Sequence, residues 1–328
     1  MALVRRLAIA LLMVLLMASL TFFLIRVMPG SPMDYQLVQD LQQGMSLTQA
    51  QAAVSAEFGV AAHAPLLSQY ADYLWNLAHL NLGTSTTYLG TPALDVILRG
   101  LPWTLFTVSV ALLLSFALGV GGGTLLAFYR GSALDRVVSV LSSIVHGIPN
   151  FVIALLLIYF VALRLGLLPH GGDYGLTVTP GLNLPFVLSV IGHSVLPIAS
   201  YTIPGTAGWI LLMRGSTVSV LGESHILAAE ARGVNRGRVL ASYVARNAVL
   251  PLFTQFVLSL GFMFSGSIFV EEIFTYPGVG YYFVNSVTQL DYPVMQAAFL
   301  IISSAVILAN LLADLLYGRL DPRVREAL

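Results

Sequence analysis

The sequence predicts an all-α membrane protein with six transmembrane helices and a cytoplasmic N-terminus. Apolar residues make up 57% of the 328-residue chain and charged residues only 9%, an imbalance too large for a soluble domain of this length. Six segments carry no charged residue, and each can hold the roughly 20 apolar residues that cross a bilayer. These segments are 7–25, 100–129, 137–163, 174–213, 247–270 and 292–313.

The arginines give the orientation of these spans. With a cytoplasmic N-terminus, the pieces 1–6, 129–136, 214–246 and 318–328 lie inside, and they hold 12 of the 15 basic residues. This bias obeys the positive-inside rule. We therefore predict a first transmembrane helix over 1–28 and an extracytoplasmic segment over 29–98. A five-helix core over 99–328 follows, with a cytoplasmic loop at about 214–246.

The N-terminal third contains one span and a polar outer segment. The apolar run 7–25 is long for a signal peptide and no small-x-small cleavage site follows it, so we interpret it as an uncleaved first span. The charge-free run 73–94 is too polar to cross a membrane, and we predict a loop there. Thr91-Pro92 is typical of a helix start, which predicts a short amphipathic helix that leads into the second span at about Pro102.

Glycines and prolines modify the next three spans. Gly119 and Gly123 have the spacing that lets two helices approach closely, although ordinary packing explains it as well. Gly147-Ile148-Pro149 predicts a kink in the third span. The first part of the fourth segment is loop-like, so its span is predicted at about 187–212, with kinks at Pro197 and Pro204.

The composition excludes several kinds of chemistry. The chain has no cysteine, which excludes disulfides and cysteine-based metal or redox sites. It has no lysine either, so it cannot hold a Walker-type P-loop, and any ATP hydrolysis must occur on another polypeptide. The six histidines form no i, i+4 pair, which argues against a metal site. The serines in the spans lack a G-x-S-G motif, which argues against an intramembrane protease. We predict a chain with no catalytic site, no bound cofactor and no nucleic-acid partner.

The loop at 214–246 is the most informative polar segment. Glu223 and Arg232 stand at the start and end of a short predicted helix, where both charges suit the helix dipole. Gly233 is placed to end that helix in a left-handed conformation, and Asn235 to cap a second helix. Three small residues would allow close approach of a partner surface: Ala228, Ala229 and Ala231. The alternative is an amphipathic helix lying at the lipid interface.

This loop resembles the coupling loop, or EAA loop, of bacterial ABC importer permeases, most of all in the dipeptide/oligopeptide/nickel branch. That branch reads roughly A-R-A-K-G, a gap, then R-N-A-x-L-P. The matching residues here are Ala229-Glu230-Ala231-Arg232-Gly233 and Arg246-Asn247-Ala248-Val249-Leu250-Pro251. The sequence departs from the pattern at Glu230, where a basic residue is usual, and at Leu227, where the general motif has its glutamate. These departures imply a different charge contact with the ATPase.

The resemblance extends over almost the whole chain. Further segments match in order and spacing: Met28-Pro29-Gly30-Ser31-Pro32, Leu165-Gly166-Leu167-Leu168-Pro169, Glu271-Glu272-Ile273-Phe274, Tyr276-Pro277-Gly278-Val279-Gly280, Asp291-Tyr292-Pro293, Asn310-Leu311-Leu312-Ala313-Asp314 and Asp321-Pro322-Arg323. It implies a type I ABC importer permease architecture in the bacterial cytoplasmic (inner) membrane. It also implies a transmembrane subunit of an ATP-driven peptide-type importer that forms half of the translocation path.

The resemblance further implies partners and site residues. The partners are a second homologous permease, two cytoplasmic ATPases that bind ATP and Mg, and an extracytoplasmic substrate-binding protein. The implied ATPase-coupling residues are Glu223, Ala228, Ala229, Glu230, Ala231, Arg232, Gly233 and Arg236. Glu271 and Glu272 are candidates for an external gate or a receptor docking point, or else an interfacial charge pair that ends a helix. Peptides, nickel chelates and glutathione all use permeases of this kind.

An ATP-independent secondary transporter or channel is the alternative function. Such proteins usually place ionisable groups at mid-membrane to couple ions or protons, whereas the six charge-free segments have no Asp, Glu or Arg. A membrane scaffold is a third class, and it would need neither a basic loop with a glycine corner nor kinked spans.

Overall fold

The computed structural model describes residues 2–27, 37–38, 40–42, 44–51 and 65–320. Within these ranges the chain is helical apart from turns, loops and one isolated antiparallel bridge between Thr84 and Pro92. The predicted all-α fold is confirmed for this part of the chain. The matches at Met28-Pro29-Gly30-Ser31-Pro32 and Asp321-Pro322-Arg323 lie outside the described residues.

The helices follow one another along the chain with short connections. They are α1 (Ala2–Val27), α2 (Leu66–Ala78), α3 (Ala93–Phe128), α4 (Ala133–His146), α5 (Asn150–Leu157), α6 (Leu184–Val220), α7 (Ser224–Ala231), α8 (Ala245–Ile273), α9 (Val279–Thr288) and α10 (Tyr292–Leu320). Two segments with π-helical hydrogen bonding occur. Ile158–Arg164 extends α5, and Val239–Val244 leads into α8 after the short turn Arg236–Arg238.

Several helices are suited to cross a membrane. Among the described residues, four stretches are long and apolar enough: Val4–Ile25, Ala93–Phe128, Leu184–Val220 and Tyr292–Ala313. A fifth span is formed if α4 and the helix Asn150–Arg164 are counted together. The chain is therefore a multi-pass membrane protein. The remaining predicted span, 247–270, lies within α8, and the count of six stays a prediction.

Three predicted elements are corrected by the structure. Residues 73–78 belong to α2 and not to a loop. The short amphipathic helix predicted at Thr91-Pro92 is the first part of the 36-residue helix α3, which continues through Pro102. The kink predicted at 147–149 is a full break of 96° between two helices, because Gly147 ends α4 and Pro149 cannot donate the hydrogen bond that would continue it.

The chain divides into two compact units, and Asp291 is the polar centre of the first. This unit comprises Leu3–Pro102 with Pro277–Ser304. The buried carboxylate of Asp291 caps α10 by accepting the backbone N–H of Val294 at 3.2 Å. Its second oxygen accepts the Ser85 hydroxyl at 2.5 Å and the Thr87 N–H at 3.1 Å. One capping residue thus also fixes the loop that precedes α3.

The second unit comprises Trp103–Tyr276 with the chain from Ala305 onward. Its main core cluster joins α3, α6, α7, α8 and the π-helical segment before α8. The buried members of this core cluster are Leu112, Trp209, Met213, Val220, Ile226, Ala229, Val239, Val244, Ala248 and Leu252. The cluster therefore extends from the apolar spans into the loop segment around α7.

The contact between α3 and α6 depends on two glycines of the second unit. A Cβ atom added at Gly119 would overlap Trp209, and one at Gly123 would lie 2.7 Å from the carbonyl oxygen of Ile210. Gly121, on the other side of α3, has nothing within 4 Å. The close helix packing predicted from the Gly119/Gly123 spacing is confirmed, since a larger residue at either position would separate the two helices.

The two sides of α3 predict opposite effects for the same substitution. Gly123→Ala should lower the stability of the purified subunit by about 1–3 kcal/mol, the usual cost of overpacking. Gly121→Ala should raise it by up to about 1 kcal/mol, since alanine favours a helix over glycine. The midpoints of thermal unfolding in one detergent give the comparison, and equal midpoints for the two variants would contradict this packing.

Candidate functional site

The helix α7 begins at a well-defined polar turn. Glu223 precedes it with an extended backbone, but its side chain makes no capping hydrogen bond. One Glu223 carboxylate oxygen lies instead 3.2 Å from Nδ1 of His225. The other ring nitrogen, Nε2, lies 3.3 Å from the side-chain amide nitrogen of Asn247 at the start of α8. Because an amide nitrogen can only donate, Nε2 accepts and Nδ1 carries the hydrogen that Glu223 accepts.

The end of α7 has the geometry of a Schellman motif. Gly233 adopts a left-handed backbone with φ of +76°. Its N–H donates to the carbonyl of Glu230 at 2.9 Å, and the N–H of Val234 donates to the carbonyl of Ala229 at 3.2 Å. These two bonds satisfy carbonyls that a helix end would leave open. The left-handed end predicted at Gly233 is confirmed.

The chain then turns directly toward α8. The side-chain oxygen of Asn235 accepts the N–H of Gly237 at 2.8 Å, which is the predicted capping contact. The π-helical segment Val239–Val244 follows and runs into α8. On the preceding side, the Ser216 hydroxyl of α6 donates to the carbonyl of Ala248 at 2.7 Å. The segment around α7 is thus tied to both helices that flank it.

One side of α7 is anchored in the protein. Ile226 and Ala229 are both 0% exposed and belong to the core cluster. The prediction that Ala229 offers a small surface to a partner is therefore wrong for its side chain, because the period of the helix turns it to the same side as Ile226. The sequence analysis missed Ile226 as an anchor. Its spacing of three from Ala229 is the signal that indicates it.

The opposite side of α7 is open. Leu227 is 56% exposed, which is unusual for a leucine in a polar loop. We call the exposed set the loop face; its members are Leu227, Ala228, Glu230, Ala231 and Arg232. Arg232 donates from Nε to the carbonyl of Ala228 at 3.2 Å, so its guanidinium lies along the helix end. The side chain of Arg236 lies outside the described part of the structure.

An ion pair fixes the loop between α3 and α4 to α6. The carboxylate of Asp135 accepts two hydrogen bonds from Arg214, from Nε at 2.5 Å and from a terminal nitrogen at 2.8 Å. The N–H of Gly131 also donates to it, at 2.9 Å. Ser132 caps α4 by accepting the Asp135 N–H at 3.2 Å. The sequence analysis did not predict this pair, although a serine three residues before an acidic residue indicates a capped helix start.

The two candidate outer glutamates differ in their surroundings. Glu271 is 1% exposed and accepts a hydrogen bond from the Thr104 hydroxyl at 2.7 Å. A separate receptor cannot reach a buried side chain, so the docking role predicted for Glu271 does not fit its position. Glu272 is partly buried at the end of α8. The gate role of the two residues stays a prediction.

Comparison with known proteins places these features in a family. Residues 119–326 match the family described as binding-protein-dependent transport system inner membrane component. The oligopeptide transport system permease protein AppB of Bacillus subtilis is 33% identical over 98% of both chains. OppB of Haemophilus influenzae, another oligopeptide transport system permease protein, is 31% identical over 98% of both chains. The dipeptide transport system permease protein DppB of Escherichia coli is 31% identical over 94% of this chain and 93% of its own. The chain belongs to the family of binding-protein-dependent transport system inner membrane components, the permease subunits of such systems.

Proposed function

We propose that this protein is one transmembrane subunit of an ATP-driven importer of peptides and forms half of the path across the bacterial inner membrane. The names of its relatives as oligopeptide and dipeptide permeases support a peptide substrate. Matches over nearly the full length of those chains support the same role for the whole protein. A second, similar permease supplies the other half of the path.

The proposed topology has six spans, a cytoplasmic N-terminus and the type I importer arrangement. Placing α7 and the turn at 129–136 in the cytoplasm puts most arginines on that side. The same topology leaves 29–98, 165–186 and 271–292 outside, where a substrate-binding protein would deliver the peptide. Because the chain has no lysine and so no P-loop, ATP and Mg bind to two partner ATPases, and this chain performs no covalent chemistry.

The observation that carries the proposal is the two-sided position of α7. Its loop face is open to a partner, while Ile226 and Ala229 lie in the core cluster with Met213 of α6 and Leu252 of α8. A close-packed interior transmits displacement and does not absorb it. An ATPase that moves α7 therefore moves the spans with it. A helix resting passively on lipid would need no such anchor.

The loop face also indicates the kind of groove that receives it. Leu227 supplies an exposed apolar centre, with Glu230 and Arg232 as an acidic and a basic neighbour. Apolar side chains that fill a pocket contribute most of the affinity at an interface, and charges at its rim mainly give orientation. We therefore expect the ATPase to present an apolar pocket to Leu227 where relatives of the general motif use a glutamate.

The alternative of an ATP-independent transporter or channel lacks a comparable observation. Ion-coupled transporters place ionisable side chains at mid-membrane, and the charge-free segments contain no Asp, Glu or Arg. The anchored helix α7 would also have no role in such a protein.

Substitution of Leu227 tests the coupling role. Leu227→Asp should lower ATP-driven peptide uptake at least tenfold and should release the ATPases during purification, because a charge would enter the apolar pocket. The subunit should still fold, since Leu227 is not part of the core cluster. Leu227→Met is the matched control at the same position and should retain uptake. Normal uptake by Leu227→Asp, with the ATPases bound, would remove the loop face from the coupling interface.

Cysteine labelling tests the topology, and the absence of native cysteine makes each introduced one unique. Arg130→Cys and Leu176→Cys are both at exposed positions, the first in the proposed inner turn and the second in a proposed outer loop. A membrane-impermeant maleimide added to intact spheroplasts should label Leu176→Cys and spare Arg130→Cys until the membrane is opened. Labelling of Arg130→Cys in sealed spheroplasts would show the opposite orientation.

A further inference from the structure

A polar cleft of about 350 Å³ lies in the second unit, away from α7. It is bordered by α3, α6, α8 and the junction between α4 and α5. Its polar side chains are Ser115, His146, Asn150, Tyr201, Gln255 and Ser259. This volume is within the range of small-ligand pockets, and the sequence analysis did not identify it.

The cleft lies at the depth of the membrane interior. Ser115 is near the centre of the charge-free segment 100–129, and Gln255 is well inside the segment 247–270. Gln255 is exposed and Asn150 half-buried, and neither side-chain amide is hydrogen-bonded to another described residue. An amide left without partners in hydrocarbon costs several kcal/mol on the order of magnitude of solvent transfer. This face therefore does not lie against lipid tails.

The helix break at 147–149 supports the same conclusion independently. It lies in the middle of the charge-free segment 137–163, and His146, Gly147 and Pro149 beside it are exposed. Irregular backbone at membrane depth occurs where it is covered by protein or lines a water-filled cavity. The broken helix and the unpartnered amides border the same cleft, so one water-filled space accounts for both.

The break is held in place from the α6 side. Nδ1 of His146 lies 3.2 Å from the carbonyl oxygen of Pro204. A Cβ atom added at Gly208 would lie 2.7 Å from the His146 ring, so only glycine leaves room for the imidazole there. The wall of the cleft is thus rigid, while Asn150 and Gln255 stay free to bind a ligand.

The chemistry of the lining favours one class of ligand. The lining contains no carboxylate and no arginine, so it has no fixed charge that would select a charged group. Asn and Gln side chains each provide a carbonyl acceptor and two N–H donors. A peptide backbone provides the complementary N–H donors and carbonyl acceptors at every residue, whatever its side chains are.

We propose that this cleft is a substrate-contact site within the membrane, where Asn150 and Gln255 hydrogen-bond the backbone amides of a passing peptide. The proposal rests on the proposed function and deepens it, because it assigns residues of the path and the part of the substrate that they contact. A neutral amide-binding lining passes peptides of different side-chain composition and leaves selection among them to other components.

Accessibility of introduced cysteines tests whether the cleft is wet and occupied. The complete complex with its ATPases is placed in lipid nanodiscs, where both faces are open and the hydrocarbon stays shielded. A small anionic methanethiosulfonate should modify Gln255→Cys at least tenfold faster than Leu113→Cys, an exposed apolar position of α3 close to Ser115 in the chain. Trialanine with the binding protein should slow the reaction at Gln255→Cys. Equal rates at the two positions, or a rate at Gln255→Cys that trialanine leaves unchanged, would overturn the proposal.

A second measurement isolates the backbone contact. Uptake of trialanine is compared with uptake of its backbone N-methylated analogue in complexes carrying Gln255→Leu or no substitution. Since both complexes use the same binding protein, the ratio of the two uptake rates reports on the permease alone. Loss of Gln255 should change that ratio by about two- to tenfold, the size of one neutral hydrogen bond. An unchanged ratio with full ATP-driven uptake would refute the cleft assignment and leave the proposed function intact, whereas no ATP-driven uptake by the unsubstituted complex would refute both.

Discussion

The burial of Ile226 and Ala229 is the interaction on which the rest of the second unit depends. These two side chains carry the core cluster out of the apolar spans and into a polar loop. Without them α7 would be an eight-residue helix held only by its ends, and isolated helices of that length are not stable in water. The same two contacts orient α7, because they leave the loop face as the side that remains open.

The helices that receive α7 are themselves held by contacts that leave little freedom. Gly119 and Gly123 let α3 approach the backbone of α6, and the Asp135–Arg214 pair joins the start of α4 to α6. Loss of one partner from such a pair is destabilising, since Asp135 is buried and would keep an uncompensated charge. A motion of α7 is therefore shared by α3, α4 and α6 as a group, and bending within each helix plays a smaller part.

Much of this arrangement could be predicted from the sequence, because the strongest signals were local. The charge-free segments predicted the long helices, and Gly233 and Asn235 predicted the two ends around the turn after α7, where backbone hydrogen bonds reach only a few residues. The break at 147–149 was predicted as a weaker kink, since its angle depends on how His146 packs against Gly208 of a distant helix. The burial of Ala229 and Glu271 also could not be predicted, because each depends on a partner far away in the sequence. Ala229 packs on cluster members from α3, α6 and α8, and Glu271 accepts from Thr104.

The distribution of charge relates the two ends of the mechanism. The predicted cytoplasmic pieces hold most of the arginines, while the cleft at membrane depth has neither carboxylate nor guanidinium. A charge fixed in the cleft would hold an oppositely charged peptide strongly in a medium of low dielectric constant, and it would reject one of like charge. Neutral amides hydrogen-bond in either case and release the ligand easily, because each bond contributes little net free energy. A path built in this way gains no directionality from its own affinity for substrate. Its directionality must then come from the ATP-driven movement of α7, which explains why the anchor of that helix is packed as tightly as a hydrophobic core.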